Sequence, residues 1–218
     1  MKKMILIDGG PRKNMNTASL ADAFADGVRE ASDIEIKRVR LYDLKYRGCM
    51  SCLACKLKGR SSRICLFPDD LKPLLEEVAS ADGLAVATPI YMGDMTAQTK
   101  AFLERLVFPW LSYENFSVAA PKRIPVVFLY TMNASEDMLQ TLIPHLEFTE
   151  KLVGIGFDLM ERVIACFTTQ VKDYSRYEMA GCDPDARMRY RETHWPADLE
   201  KAKAAGQHMA EAILNIQA

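Results

Sequence analysis

Short, wholly apolar runs alternate with amphipathic stretches of helical period along most of the chain. That alternation restricts the fold more than any other feature. Residues 4–7 are apolar without interruption, as a strand buried on both faces requires. Leu20, Ala23, Phe24, Gly27, Val28 and Ala31 then recur at helical spacing, so residues 17–31 read as an amphipathic helix. Ile34, Ile36, Val39 and Leu41 mark a second strand. Leu71, Leu74, Leu75 and Val78 form a helical stripe that Asp69 or Asp70 can cap, with Pro73 inside its first turn. Residues 83–87 read as a third strand, 96–107 as a helix, and 125–131 (PVVFLYT) as the clearest strand of all. Leu139, Leu142, Ile143, Leu146 and Leu152 mark helical structure that Pro144 is expected to break or restart. Residues 162–171 read as a fifth strand. Leu199, Ala202, Gly206, Met209, Ile213 and Ile216 give a last helix, with Pro196 near its first turn. Residues 172–195 lack a clean pattern, which predicts a long irregular excursion of the kind that carries function or an interface.

Strands that alternate with helices call for a parallel sheet covered on both faces and joined by right-handed crossovers. The expected fold is a flavodoxin-like, three-layer α/β sandwich with a five-stranded sheet in the order 2-1-3-4-5. Its ligand crevice would lie beyond the carboxyl ends of the first and third strands. At 218 residues the chain reads as one domain, residues 1–218, with a cysteine-rich loop at 48–66. A formal charge of −1 gives no electrostatic pull toward nucleic acid or anionic lipid. The apolar run near the amino terminus is too short for a signal peptide, and no stretch reaches the length of a membrane span. The expectation is a soluble cytoplasmic protein whose thiols stay reduced.

Three loops are expected to converge on the crevice. The first, DGGPRKNMNTASL at 8–20, offers Gly9 and Gly10 for close approach, positive charge on Arg12 and Lys13, and Asn16 and Thr17 as helix caps and side-chain donors. Backbone N–H groups and the positive end of a helix make such a loop suited to a phosphate. It is neither GxGxxG nor GxxxxGK[ST], so a dinucleotide fingerprint and a P-loop are both absent. The second loop, TPIYMGDM at 88–95, has Pro89 to bend the chain out of its strand and Tyr91 and Met92 to face a flat aromatic ligand or cover the sheet edge. The third is YTMNAS at 130–135.

Cys49, Cys52 and Cys55 follow C-x2-C-x2-C, and nine residues separate Cys55 from Cys65. Four thiolates in a short segment suit a [4Fe–4S] cluster. Zinc takes four thiolates too, more often from two separated pairs. A redox-active dithiol, and inert cysteines left from a cluster-binding ancestor, complete the readings that the spacing leaves open. Cys166 falls in an expected strand and reads as core. The three histidines, 145, 194 and 208, have no metal-ligand spacing. Lys37, Arg38 and Arg40 read as a solvated face. Arg187, Arg189 and Arg191 read first as structural, and second as partners of a nicotinamide dinucleotide phosphate or another subunit.

GGPRKNMNT resembles the phosphate loop of the NADPH-dependent FMN reductase family, and ADGLAVATPIYMGDMTAQTKAFLERL is similar to that family's second motif. GCMSCLACK, followed by Cys65 and FPDDL, looks like the cysteine loop of its iron–sulfur flavoprotein subgroup. The resemblance covers residues 3–110 and implies FMN as cofactor. The phosphate would rest on Gly10, Arg12, Asn16 and Thr17. The ring would rest on Pro89, Ile90, Tyr91, Met92 and Gly93, with Thr131 and Met132 as a third contact. It further implies Cys49, Cys52, Cys55 and Cys65 as ligands of a cluster that relays single electrons, serving a neighbouring subunit of a homodimer or homotetramer. The family's usual serine is Gly10 here and its usual glycine is Met15. The expected activity is NAD(P)H:acceptor or ferredoxin-linked electron transfer by an FMN-dependent oxidoreductase, with no catalytic acid or base. The alternatives are a flavodoxin-like electron carrier and a thiol-based redox sensor.

Overall fold

A computed structural model describes residues 1–59, 63–179 and 181–216. Five parallel strands form the sheet: β1 (Lys3–Asp8), β2 (Glu35–Arg40), β3 (Gly83–Tyr91), β5 (Pro125–Thr131) and β6 (Asp158–Ala165), in the order β2-β1-β3-β5-β6. A two-residue strand, β4 (Asp94–Met95), folds back antiparallel on the end of β3. With β4 set aside as that hairpin, the order is the expected 2-1-3-4-5.

The alternation of side chains along each strand divides the core in two. Met4, Leu6, Ala85, Ala87, Val127 and Leu129 face one side, covered by α1 (Asn16–Ala31) and α6 (Trp195–Asn215). Ile5, Ile7, Leu84, Val86, Val126 and Phe128 face the other, covered by α2 (Leu71–Ser80), α3 (Ala97–Val107) and α4 (Glu136–Gly154). The result is a three-layer sandwich of the flavodoxin-like type. Among the described residues no helix is long and apolar enough to cross a membrane.

Several expectations are corrected. Pro144 does not break α4, which runs through it unbroken. Pro144 and Gln140 are both exposed, so the helical hydrogen bond that proline removes lies on the solvent side of α4. Pro89 does not bend the chain out of β3 but stays in register with Thr131. β1 has ended by then, its last partner being Ala87, so proline stands where one edge of β3 is free. β6 begins and ends earlier than the expected 162–171. As an outer strand with its first residues largely exposed, it lacks the doubly buried signature. The excursion holds α5 (Pro184–Thr193), capped by Asp183, whose side chain accepts from the N–H groups of Asp185 and Ala186. Asn16 and Thr17 do not cap α1: Met15 occupies the cap position and offers no side-chain acceptor. At α2, Asp69 accepts from the Leu71 N–H at 3.2 Å, while Asp70 makes no side-chain cap. Residues 60–62 of the cysteine loop's insert lie outside the described residues.

Candidate functional site

The loop after β1 is fixed from below by charge. Asp8 is wholly buried, and its carboxylate accepts from the Gly10 N–H at 2.9 Å and from Arg38 Nη2 at 2.7 Å. Arg40 Nη2 reaches the carbonyls of Gly10 and Pro11 at 3.5 and 3.4 Å. These two arginines of β2 are therefore not a solvated face. They turn loop carbonyls toward β2 and hold the loop against the sheet. Because α1 starts without a side-chain cap, its first-turn N–H groups stay available to an anion. At Gly10 a Cβ would stand 3.1 Å from Asp8 Oδ1 and 3.2 Å from Thr17 Cβ, so glycine suits this packing better than serine.

The side chains expected around a phosphate have partners within the chain. Arg12 donates to the Gln170 carbonyl. Asn16 is buried, donating to Thr169 O at 2.6 Å and accepting from Arg191 Nη1 at 2.8 Å. Thr17 Oγ1 lies 2.6 Å from Thr131 Oγ1. Thr131 and Met132 are buried, and the Met132 carbonyl accepts from the Thr168 N–H at 3.0 Å. The segment 166–170 thus lies across both the first and third loops. Arg187 pins that segment from α5, donating to Asn133 O at 2.9 Å and Thr168 O at 3.4 Å, with its guanidinium 4.2 Å from the Phe167 ring. Arg189 is exposed.

A threonine network that sequence reasoning missed joins the first and second loops. Thr96 Oγ1 donates to Gly9 O at 3.0 Å and lies 2.9 Å from Thr99 Oγ1, which in turn donates to Thr88 Oγ1 at 3.2 Å. All three threonines are wholly buried. Gly9 is packed so closely that a Cβ would overlap Thr99 Oγ1.

Beyond this network, β3 and β4 are joined by Met92 and Gly93, whose φ angles of 51° and 86° give the left-handed turn that suits a two-residue hairpin. Gly93 adopts such a φ freely; Met92 does so at a cost. The turn holds Met92 at 104% exposure and Tyr91 at 44%, beside the crest of the sheet. Pro89 is buried and Ile90 half-buried beneath them. Tyr42 stands near Tyr91: burial, reinforced by that neighbour, pushes its hydroxyl above the ordinary value despite a hydrogen bond with Thr96. The hairpin with its exposed Tyr91 and Met92 is thus tied through Thr96 to Gly9, in the loop that leads into the uncapped start of α1.

The cysteine loop packs against α3. Cys49, Cys52, Cys55 and Cys65 line one cavity together with Phe67, Arg105 and Phe108. The six cysteines of the chain are free thiols, Cys49 and Cys52 exposed, Cys55 and Cys65 half-buried. Among the described residues no three metal-binding side chains converge on a point that one ion could occupy. The free space within the cavity is about 20 Å³, room for about one water. Ser51 and Leu53, on either side of Cys52, have φ of 54° and 55°, a left-handed backbone that non-glycine residues adopt only when their surroundings enforce it. Burial pushes the Cys55 thiol up. Cys166 is buried in the core, as expected, and its thiol is pushed up to about 11 by that burial.

The family model for NADPH-dependent FMN reductase matches residues 2–151. An iron-sulfur flavoprotein of Methanosarcina thermophila is 33% identical over 116 residues, covering 53% of this chain and 57% of that protein. One from Archaeoglobus fulgidus is 32% identical over 105 residues, covering 48% and 46%. The chain thus spans about half the length of the curated relatives it matches. Among solved structures, an NAD(P)H:quinone oxidoreductase from Methanothermobacter marburgensis superposes with a TM-score of 0.68 at 18% identity, over 95% of this chain and 96% of that one. An azoreductase from Bacillus anthracis str. Sterne gives 0.69 at 14% identity, over 95% and 100%. At such identities these structures establish the fold. The matched span takes in the hairpin ledge, the uncapped start of α1 and the cysteine loop, and covers more than half the chain: the protein belongs to the NADPH-dependent FMN reductase family.

Proposed function

We propose that this chain is an FMN-dependent oxidoreductase that takes reducing equivalents from NAD(P)H and passes them to a small-molecule or protein acceptor. The observation that carries the reading is the pairing of an uncapped α1 start, flanked by Arg12 and Lys13, with the exposed Tyr91–Met92 ledge, both within the family's matched span. FMN has a dianionic phosphate at one end and a flat tricyclic ring at the other, and the two features match those two ends. Gly10, Arg12, Asn16 and Thr17 would hold the phosphate. Pro89, Ile90, Tyr91, Met92 and Gly93 would hold the ring, with Thr131 and Met132 supporting the loops from beneath. When bound, the flavin supplies the hydride and single-electron chemistry; the chain supplies binding, orientation and shielding from water.

A [4Fe–4S] cluster on Cys49, Cys52, Cys55 and Cys65 extends the reading. A lone zinc ion needs its ligands around one point, whereas a cluster takes one thiolate at each of four separate irons. What supports the second arrangement is the C-x2-C-x2-C spacing with Cys65, whose four thiols line one cavity. Exposed Phe148, Leu152 and Ile155 on and beside α4 support a homo-oligomer.

Purification without oxygen tests both cofactors together. The visible spectrum should show flavin bands that bleach on adding NADPH or NADH, with a broad brown absorbance and equal iron and sulfide. Colourless protein refutes the flavin reading. Yellow protein free of iron and sulfide after anaerobic reconstitution refutes the cluster alone.

A further inference from the structure

The cysteine loop is fastened to α3 by a buried charge whose place in the fold the reading above leaves unexplained. Arg105 is 2% exposed. Its Nε donates to Cys65 Sγ at 3.3 Å, Nη1 to Arg47 O at 3.1 Å and to Asp69 Oδ2 at 2.5 Å, and Nη2 to Phe67 O at 3.2 Å. Arg47 and Phe67 stand at the two ends of the loop. One guanidinium therefore clamps both stems, and the Phe67 ring packs 5.5 Å from its centre. A third anchor comes from the middle of the loop. Lys56 Nζ reaches the carbonyls of Phe108, at 2.5 Å, and Pro109, at 3.3 Å, just past the end of α3.

A buried arginine carries a desolvation cost that an apolar side chain of similar size would avoid. What arginine adds is a rigid fork of donors, here shared among a sulfur, a carboxylate and two backbone carbonyls. Hydrogen bonds to a ligating sulfur are also a principal means of tuning a cluster's potential. A positive donor stabilises the reduced, more negative state.

Building on the cluster reading, we propose that Arg105 is a positioning residue for the four-thiol loop. It holds the loop assembled before any metal arrives and, through its N–H to Cys65, raises the reduction potential of the cluster bound there.

The test compares the full-length wild type with Arg105→Lys, which keeps the charge but loses the fork. In the metal-free proteins, amide hydrogen exchange at 47–57 and 63–67 should be at least tenfold faster in the variant, with β1, β3 and β5 unchanged. Equal rates overturn the positioning role. In proteins loaded anaerobically with iron and sulfide, the variant's midpoint potential should fall by at least a tenfold change in the one-electron equilibrium, about 59 mV. An unchanged potential at equal iron content overturns the tuning role. Failure of the wild type to take up iron and sulfide removes the cluster and the tuning, while the exchange comparison still decides the positioning. Should the variant not fold, metal-free wild type labelled with [15N]arginine decides instead. A slowly exchanging Nε–H resonance that shifts in Cys65→Ser is expected, and its absence overturns the proposal.

Discussion

Gly9 shows how much a single atom matters at the crest of the sheet. It sits against Thr99, whose hydroxyl belongs to the buried chain linking the first two loops. Gly9→Ala is expected to lower stability by about 1–3 kcal/mol, the usual cost of overpacking, and to weaken FMN binding, read by thermal melts and flavin fluorescence titration. Asp69 gives a pH-dependent counterpart. Burial alone would raise its carboxyl, but the Arg105 hydrogen bond and charge outweigh that and hold it below its ordinary value. A carboxyl depressed in the folded state adds stability above its unfolded value, and that stability is lost as pH falls through the folded value. Melting temperatures taken downward from about pH 4 should therefore drop more steeply in the wild type than in Asp69→Asn. At this scale the sequence is only partly legible. The glycines, Arg12 and the Tyr91–Met92 pair stand out in the sequence as candidates, and the structure leaves Tyr91 and Met92 exposed while setting Arg12 on the Gln170 carbonyl. Arg105 does not: spacing puts it on the face of Phe102 and Leu106, but nothing in the sequence says that its guanidinium meets Arg47, Cys65, Phe67 and Asp69 there. Thr88, Thr96 and Thr99 are hidden for the same reason: nothing in a threonine's identity says that its hydroxyl bonds another loop.

Elements buried on both faces are the ones that sequence pattern finds. β1, β3 and β5 lie in the middle of the sheet, and their uninterrupted apolar runs follow from that position. β6 lies at the edge and α5 buries only Arg187, so neither has an apolar signature; the Asp183–Pro184 start was the one available signal for α5. The packing of α1 on α6 rests on two glycines that pattern places on the facing stripes. A Cβ at Gly27 would overlap the Lys203 carbonyl, and one at Gly206 the Phe24 carbonyl, so the two backbones pack in contact. Gly206→Ala should force the helices apart and destabilise the fold by about 3 kcal/mol, read by denaturant unfolding with an unchanged slope. Pro144→Ala should act in the opposite direction. It restores a helical N–H within α4 at an exposed position, and a gain of about 1 kcal/mol is expected.

Across the whole molecule, the sheet order brings the carboxyl ends of β1, β3 and β5 side by side, so that loops distant in sequence form one crest. The segment 166–170 and α5 then lie over the first of those loops through Asn16, Arg187 and Arg191. This cover could not be read from sequence, because it depends on where β6 ends. In the function proposed for it, the crest recognises a flavin by its phosphate as well as by its ring. Fluorescence titration of the flavin-free chain with FMN and with riboflavin, which lacks the phosphate, tests it most directly. Saturable binding of one FMN per chain is expected, with riboflavin at least a hundredfold weaker, about 2.7 kcal/mol. Equal affinity for the two, or binding of neither, would contradict it.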